Sequence, residues 1–253
     1  MDPVVYFLNV DPQKEPAFAS RERMEELAAG LSAARQEKIR AMGMPGSRRL
    51  SLGVGLLLAR GLEQMGIREQ TAGLEYRKNG KPYLKDYPEL YFNLSHSGTM
   101  AMAVFADTEA GCDIEKLGRG REQVARRFFA PGEQAYLAAA SGGKTAEGES
   151  QKRTGENGME SPGEDRKVTW DEAFCRIWTL KEAFIKATGE GARIPLTDFC
   201  IHVEEPVRAV WKEKTQPFEF YEFEVEGYRA SLCLESYNKK ITRIPQITWV
   251  SGF

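Results

Sequence analysis

Trp178-Thr179-Leu180-Lys181-Glu182-Ala183-Phe184-Ile185-Lys186 is the centre of a helix predicted over 170–188, and Gly189 and Gly191 follow it as C-terminal breakers. Beyond that helix the chain turns strand-like at 199–203, 207–211, 218–225, 229–234 and 247–250. The first half has the same order in outline. A helix over 48–65 carries Leu50, Val54, Leu57, Leu58, Leu62 and Met65 at spacings of three and four. Gly53 and Gly55 inside it imply close packing against a neighbour. Strands are predicted at 74–77, 90–94, 100–106 and 111–115, with Asn79-Gly80-Lys81-Pro82 as the turn between the first two. A strand at 4–10, helical spacing over 20–42, and helices at 121–129 and 131–140 complete the pattern, the last opened by Pro131. A long helix followed by antiparallel strands, twice, with a division near 106–110, is α+β.

The chain has 253 residues, enough for one large domain or two small ones with a real core. Hydrophobic content of 42% and charged content of 28% are ordinary for a globular protein. A net charge of −2 argues against general binding to nucleic acid or to a membrane surface. No apolar run approaches the roughly 20 residues of a membrane span. The start, Met1 to Val10, lacks a basic segment and reads as a first strand rather than a signal peptide. Cys112, Cys175, Cys200 and Cys233 are scattered without a CxxC pair, which fits a reduced, cytoplasmic protein without structural zinc. Residues 141–167 have almost no apolar side chain, cannot bury a face, and are expected to form a mobile polar insertion.

Several side chains suit chemistry on a polyphosphate. Asp113 and Glu115 are two apart, so a strand places both carboxylates on one face. Such a pair suits Mg²⁺, although two acids on a strand are more often simply solvated. Glu182 and Lys186 lie four apart on the helix, where a surface ion pair of a few tenths of a kcal/mol is the ordinary explanation. Ser95-His96-Ser97 follows a predicted strand and reads first as a polar turn, with phosphate contact as the alternative. A serine nucleophile is disfavoured, because no G-x-S-x-G elbow surrounds it. His202, the other histidine, falls in an apolar strand and reads as structural. Lys81, Arg35, Lys38 and Arg40 form a scattered basic set that solvation alone would explain.

The order of the blocks is more specific than any one of them. Gly80-Lys81-Pro82, Phe92 to Ser97, Gly111 to Glu115, Arg127-Phe128-Phe129 with Glu133, and Trp178 to Gly191 together resemble the Sfp-type phosphopantetheinyl transferases along most of the chain. The length is similar to the two-lobed, monomeric branch of that family rather than to the short, trimeric carrier-protein synthases.

The resemblance implies two pseudo-twofold-related lobes, 1–106 for nucleotide contacts and 107–253 for the metal site and catalytic helix. It implies a holo-carrier-protein synthase type of transferase, with coenzyme A as co-substrate and an apo acyl or peptidyl carrier protein as partner. The carrier could belong to fatty-acid, polyketide or peptide antibiotic biosynthesis. By motif position, Asp113, Glu115 and Glu182 would hold Mg²⁺, with Mn²⁺ as the alternative. Glu182 would be the general base, directly or through a bound water, and Lys186 would neutralise the pyrophosphate. Ser95, His96 and Lys81 would contact the nucleotide end, with Arg35, Lys38 and Ser51 on the 3′-phosphate. The insertion at 141–167 falls near where family members dock the carrier, and a tolerated surface loop is its simplest reading. A Mg²⁺-dependent nucleotide or CoA pyrophosphohydrolase and a degenerate binding module are the competing classes.

Overall fold

In the computed structural model, residues 1–140, 168–236 and 244–253 are described, so the expected insertion at 141–167 lies outside the described residues. The chain opens with β1 (Val4–Asn9), then α1 (Arg21–Ala29), α2 (Ala33–Ala41) and α3 (Pro45–Glu63). The helical spacing over 20–42 is thus two helices. Ser20 caps α1 by accepting from the Arg23 N–H, and the chain breaks at Gly30 before α2. Ser32, ahead of α2, gives its backbone N–H and its hydroxyl to the two carboxylate oxygens of Glu69, at 2.6 and 2.8 Å. A distant acid therefore holds the start of α2.

Next come β2 (Leu74–Tyr76), β3 (Pro82–Leu84), β4 (Tyr91–Ser97), β5 (Met100–Ala106) and β6 (Ala110–Lys116). β3 is the one strand here that the sequence reading passed over. It closes a hairpin with β2 across the Asn79-Gly80 turn. The helices α4 (Glu122–Phe128), α5 (Pro131–Ala140) and α6 (Trp170–Thr188) follow. The strands β7 (Phe199–His202), β8 (Arg208–Trp211), β9 (Lys214–Thr215), β10 (Phe218–Val225), β11 (Tyr228–Glu235) and β12 (Gln246–Trp249) complete the fold.

Two sheets organise the core. The first has the order β12-β1-β5-β4 and the second β10-β11-β6. Apart from the parallel β12–β1 pair, all their pairings are antiparallel. β5 explains how they stack. All seven of its residues are buried, which requires cover on both faces. Ala101, Ala103 and Phe105 join the cluster with α3, while Met100, Met102, Val104 and Ala106 join Cys112, Ile114, Ala230, Leu232 and Leu234 of the second sheet. On the outer side of the second sheet, α6 contributes Leu180, Ala183, Phe184 and Ala187 to a third cluster. The layers run α3, first sheet, second sheet, α6, so each sheet carries one 19-residue helix.

The close packing implied by the α3 glycines is present. A methyl at Gly53 would meet Val10, and one at Gly55 would meet Leu31 and the stem of Arg35. The last strand departs from a clean division of the chain at 106. β12 pairs with β1 in register Val4↔Gln246 to Phe7↔Trp249, so residues 246–249 return to the first sheet. Trp249 stacks on Phe7 there. No described helix is long and apolar enough to cross a membrane.

Candidate active site

β6 is built to take a helix backbone. Gly111 faces α6, and any side chain there would run into the Ala183 carbonyl and the Ala187 amide. With Cys112 and Ile114 buried in the inter-sheet core, Asp113 and Glu115 share the opposite face with Gly111, as their spacing of two requires. The helix that lands on Gly111 is fixed at both ends. Thr169 and Glu172 form a reciprocal capping box, and Gly189 ends it at φ 67°, where a side chain would be strained.

That docking brings Lys186 onto Asp113. The Lys186 ammonium donates to Asp113 Oδ1 at 2.6 Å, to the Cys112 carbonyl at 3.1 Å and to Ser95 Oγ at 3.3 Å. Burial works against its charge, but Asp113 and Glu182 help outweigh burial and hold its pKa above the ordinary value. One turn earlier, Glu182 is half-buried and makes no hydrogen bond or ion pair with any described residue. Burial pushes its carboxyl upward; Lys186 pulls the other way, and Asp113 adds to the rise. Glu182 is therefore a dehydrated carboxylate, coupled to its neighbours by charge and held by none of them.

The Ser95-His96-Ser97 segment is not a turn. It forms the last three residues of β4, and the polar alternation has a partner that lies in the other sheet. β4 and β6 run side by side, and side chains take the place of a backbone ladder between them. Asn93 Oδ1 accepts from the Cys112 N–H at 3.0 Å, Ser95 Oγ from Ile114 at 3.4 Å, and Ser97 Oγ from Lys116 at 3.1 Å. The two serine hydroxyls then donate onward, Ser95 to Asp113 Oδ1 at 2.7 Å and Ser97 to Glu115 Oε1 at 2.8 Å. Because strand side chains alternate, His96 points away from the seam and is exposed. The protein around it still removes water, and Lys186 and Lys38 add repulsion, so its pKa lies below the ordinary histidine value despite Asp113. That coupling places Lys38 near the same site.

Arg35 and Ser51 are each 7% exposed. Arg35 packs its stem on Gly55 of α3, and its guanidinium has no hydrogen bond or ion pair with any described residue. Ser51, one turn before Gly55, has a buried hydroxyl without a partner among the described residues. Of these two side chains only the Ser51 oxygen is both buried and without a partner among the described residues, which is uncommon in a native interior. Lys81 is placed differently. Its ammonium donates to Glu109 at 2.6 Å and to the Ala110 and Ala187 carbonyls at 3.1 and 3.2 Å, so all three donors tie the β2–β3 hairpin to β6 and the end of α6.

Two features were missed by sequence reasoning. Lys181 is wholly buried, with its ammonium 2.7 Å from each oxygen of Glu133 and 3.0 Å from the Phe199 carbonyl. Glu133 also accepts the N–H groups of Ala130 and Ile201. The seam role of Asn93 and Ser97 is the other, and its signal was polar residues at every second position of a strand.

The family model described as the 4′-phosphopantetheinyl transferase superfamily matches residues 109–233, which include β6 and α6. The chain belongs to the 4′-phosphopantetheinyl transferase superfamily. It is 28% identical over 218 residues to the 4′-phosphopantetheinyl transferase ffp of Bacillus subtilis, covering 85% of this chain and 86% of that one. It is 27% identical over 225 residues to the 4′-phosphopantetheinyl transferase gsp of Aneurinibacillus migulanus, covering 87% and 83%. HetI of Nostoc sp., also a 4′-phosphopantetheinyl transferase, is 29% identical over 201 residues, covering 76% and 74%.

The donor chemistry of this superfamily member fits a hard divalent cation. Among the described residues no three His, Cys, Asp or Glu side chains converge into a ready metal cage. Mg²⁺ does not require one, since it is typically held by one or two carboxylates with water and substrate phosphate filling the rest. Glu182, half-buried beside Asp113 and without a hydrogen bond or ion pair among the described residues, is what such a site needs.

Proposed function

We propose that this chain transfers the 4′-phosphopantetheine arm of coenzyme A to a serine hydroxyl of an apo acyl or peptidyl carrier protein, in the manner of the Sfp-type branch and as a monomer. The observation that carries this is the state of Glu182, a half-buried carboxylate that makes no hydrogen bond or ion pair among the described residues, one turn from the Lys186–Asp113 pair. The relatives' names supply the reaction class.

The chemistry is a displacement at phosphorus. The carrier serine oxygen forms a bond to the phosphorus on the pantetheine side of the CoA pyrophosphate. The bond from that phosphorus to the bridging oxygen breaks, and adenosine 3′,5′-bisphosphate leaves with the electron pair. Glu182 takes the serine proton, a task made easier by a pKa held above the usual carboxylate range. Lys186 stays charged through the step and offsets the negative charge of the pyrophosphate and leaving group. Asp113, Glu115 and Glu182 would hold Mg²⁺, which when bound neutralises phosphate charge and orients the displacement.

The nucleotide end is assigned to the first half of the chain. Arg35, whose guanidinium makes no hydrogen bond or ion pair with a described residue, the buried Ser51 hydroxyl, and Lys38 near His96 would hold the 3′-phosphate; His96 would accept a proton as that dianion arrives. Ser95 would contact the nucleotide end from its place on the seam. Lys81, with every donor engaged, would act there by fixing the hairpin and the end of α6. Residues 1–106 and 107–253 are in this reading two functional lobes, with the seam of β4 and β6 between them.

Intact-protein mass spectrometry tests the proposal. An apo carrier protein incubated with this protein, CoA and Mg²⁺ should gain the mass of the phosphopantetheine arm, and EDTA should abolish the gain. CoA cleaved to free phosphopantetheine without any gain across fatty-acid, polyketide and peptide carriers would replace the transferase by a pyrophosphohydrolase.

A further inference from the structure

We propose that Ser97 is a positioning residue for Glu115, and through it a determinant of divalent-cation affinity, an inference that rests on the metal reading above. β6 is the edge of its sheet, and the N–H groups of Cys112, Ile114 and Lys116 point toward β4. Buried backbone donors must find acceptors. β4 supplies them from Asn93, Ser95 and Ser97, which are 4–7% exposed.

The three rungs are chemically unequal. Asn93 accepts and touches no carboxylate. The two serines have a proton left over. With its oxygen occupied by the Lys116 N–H, the Ser97 hydroxyl has its free rotation removed, and its proton is aimed at Glu115 Oε1 at 2.8 Å. Ser95 does the same for Asp113. Each carboxylate of the Asp113-x-Glu115 pair is thus oriented by a hydroxyl that the backbone of its own strand has locked. Ser97 repeats on Glu115 the geometry of Ser95 on Asp113, two residues further along the seam.

The other groups facing Glu115 define what happens without it. The Lys116 N–H lies 3.2 Å from the same Oε1, and Arg119 is 3.9 Å away and largely exposed. Removing the Ser97 hydroxyl frees the Lys116 N–H to bind Glu115 alone. The carboxylate then folds back on its own backbone or toward Arg119. Orienting partners of this kind typically change metal affinity by about 10- to 100-fold when removed.

The experiment is a Mn²⁺ titration of the full chain with CoA present and no carrier, read by the electron paramagnetic resonance of free Mn²⁺. No turnover is involved. Ser97→Ala should weaken Mn²⁺ binding about tenfold, and Ser97→Thr, which restores a hydroxyl, should recover most of it. In a Glu115→Gln background, Ser97→Ala should add nothing, because its partner is gone. Asn93→Ala is the internal control: it breaks a rung that touches no ligand, so it should lower the melting temperature and leave Mn²⁺ affinity unchanged. Unaltered Mn²⁺ affinity in Ser97→Ala, or the same loss in the Glu115→Gln background as in the wild type, would reduce Ser97 to a backbone partner and overturn the inference. A wild type that binds no Mn²⁺ would overturn the metal reading and this inference with it.

Discussion

Lys181 and Glu182 are adjacent on α6 and have opposite fates. Lys181 has no exposure, and its charge is answered at 2.7 Å by both oxygens of an equally buried Glu133. Glu182 keeps part of its surface, feels Lys186 only through space, and makes no hydrogen bond or ion pair among the described residues. The helix turns by about 100° between them, so one faces α5 and β7 and the other faces the seam. Charge in a protein interior is tolerated when it is paired, and an unpaired one is retained where it has work to do. The first cluster fixes where α6 lies, and the second uses that placement.

The sharpest way to break the comparison is Glu182→Gln. The amide keeps the shape and removes the base. Carrier modification should fall by about 10²- to 10⁴-fold, the range for loss of a general base. Stability should hold or rise. The fold raises the pKa of Glu182, so the ionised form is favoured in the unfolded chain, and a neutral side chain removes that penalty. Mass spectrometry and thermal melting of one preparation measure both. A variant that melts well below the wild type would mean that Glu182 is structural after all.

Lys181→Met should do the reverse. Removing one partner of a buried pair leaves Glu133 unpaired and should destabilise by about 3–5 kcal/mol. Per folded molecule, activity should change far less than in Glu182→Gln. The double variant Lys181→Met with Glu133→Gln should recover only part of the loss: it removes the buried charge, but the single amide oxygen can accept from Ala130 or from Ile201 and not from both. A denaturation series over the four proteins gives the coupling. Additive single effects would show that the pair is not energetically linked.

Much of this was legible because it is local. The apolar spacing of α6 and its closing glycines placed that helix, and a separation of two put Asp113 and Glu115 on one face. What stayed hidden was non-local. Ser95-His96-Ser97 looks like a turn until β6 is known to take two acceptors from it, Ser95 and Ser97, and a third from Asn93. Glu133 and Lys181 are 48 apart, and neither carries a sign of the other. The return of β12 to β1, across 242 residues, is likewise invisible to periodicity. The resemblance singled out Asp113, Glu182 and Lys186 for roles on a metal and a pyrophosphate, and the fold brings the three together, but the partner that orients each carboxylate is a property of strand packing.

His96 offers the finest test of the contrast between answered and unanswered charge. Dehydration, then Lys186 and Lys38, hold its pKa below the ordinary 6.5 in the free protein. Between that depressed value and 6.5 the unfolded chain binds the proton more readily than the fold does. Stability should therefore rise with pH across this window, be flat above it, and carry the full penalty below the folded pKa. A phosphate dianion held by Lys38 and His96 would reverse the sign of the local field. NMR titration of the His96 ring should then give a low pKa without CoA and a higher one with it, accompanied by proton uptake. His202, half-buried on β7 beside Glu204, serves as the control in the same spectrum. If adenosine 3′,5′-bisphosphate leaves the His96 titration where it was, the 3′-phosphate does not sit at this end of the seam.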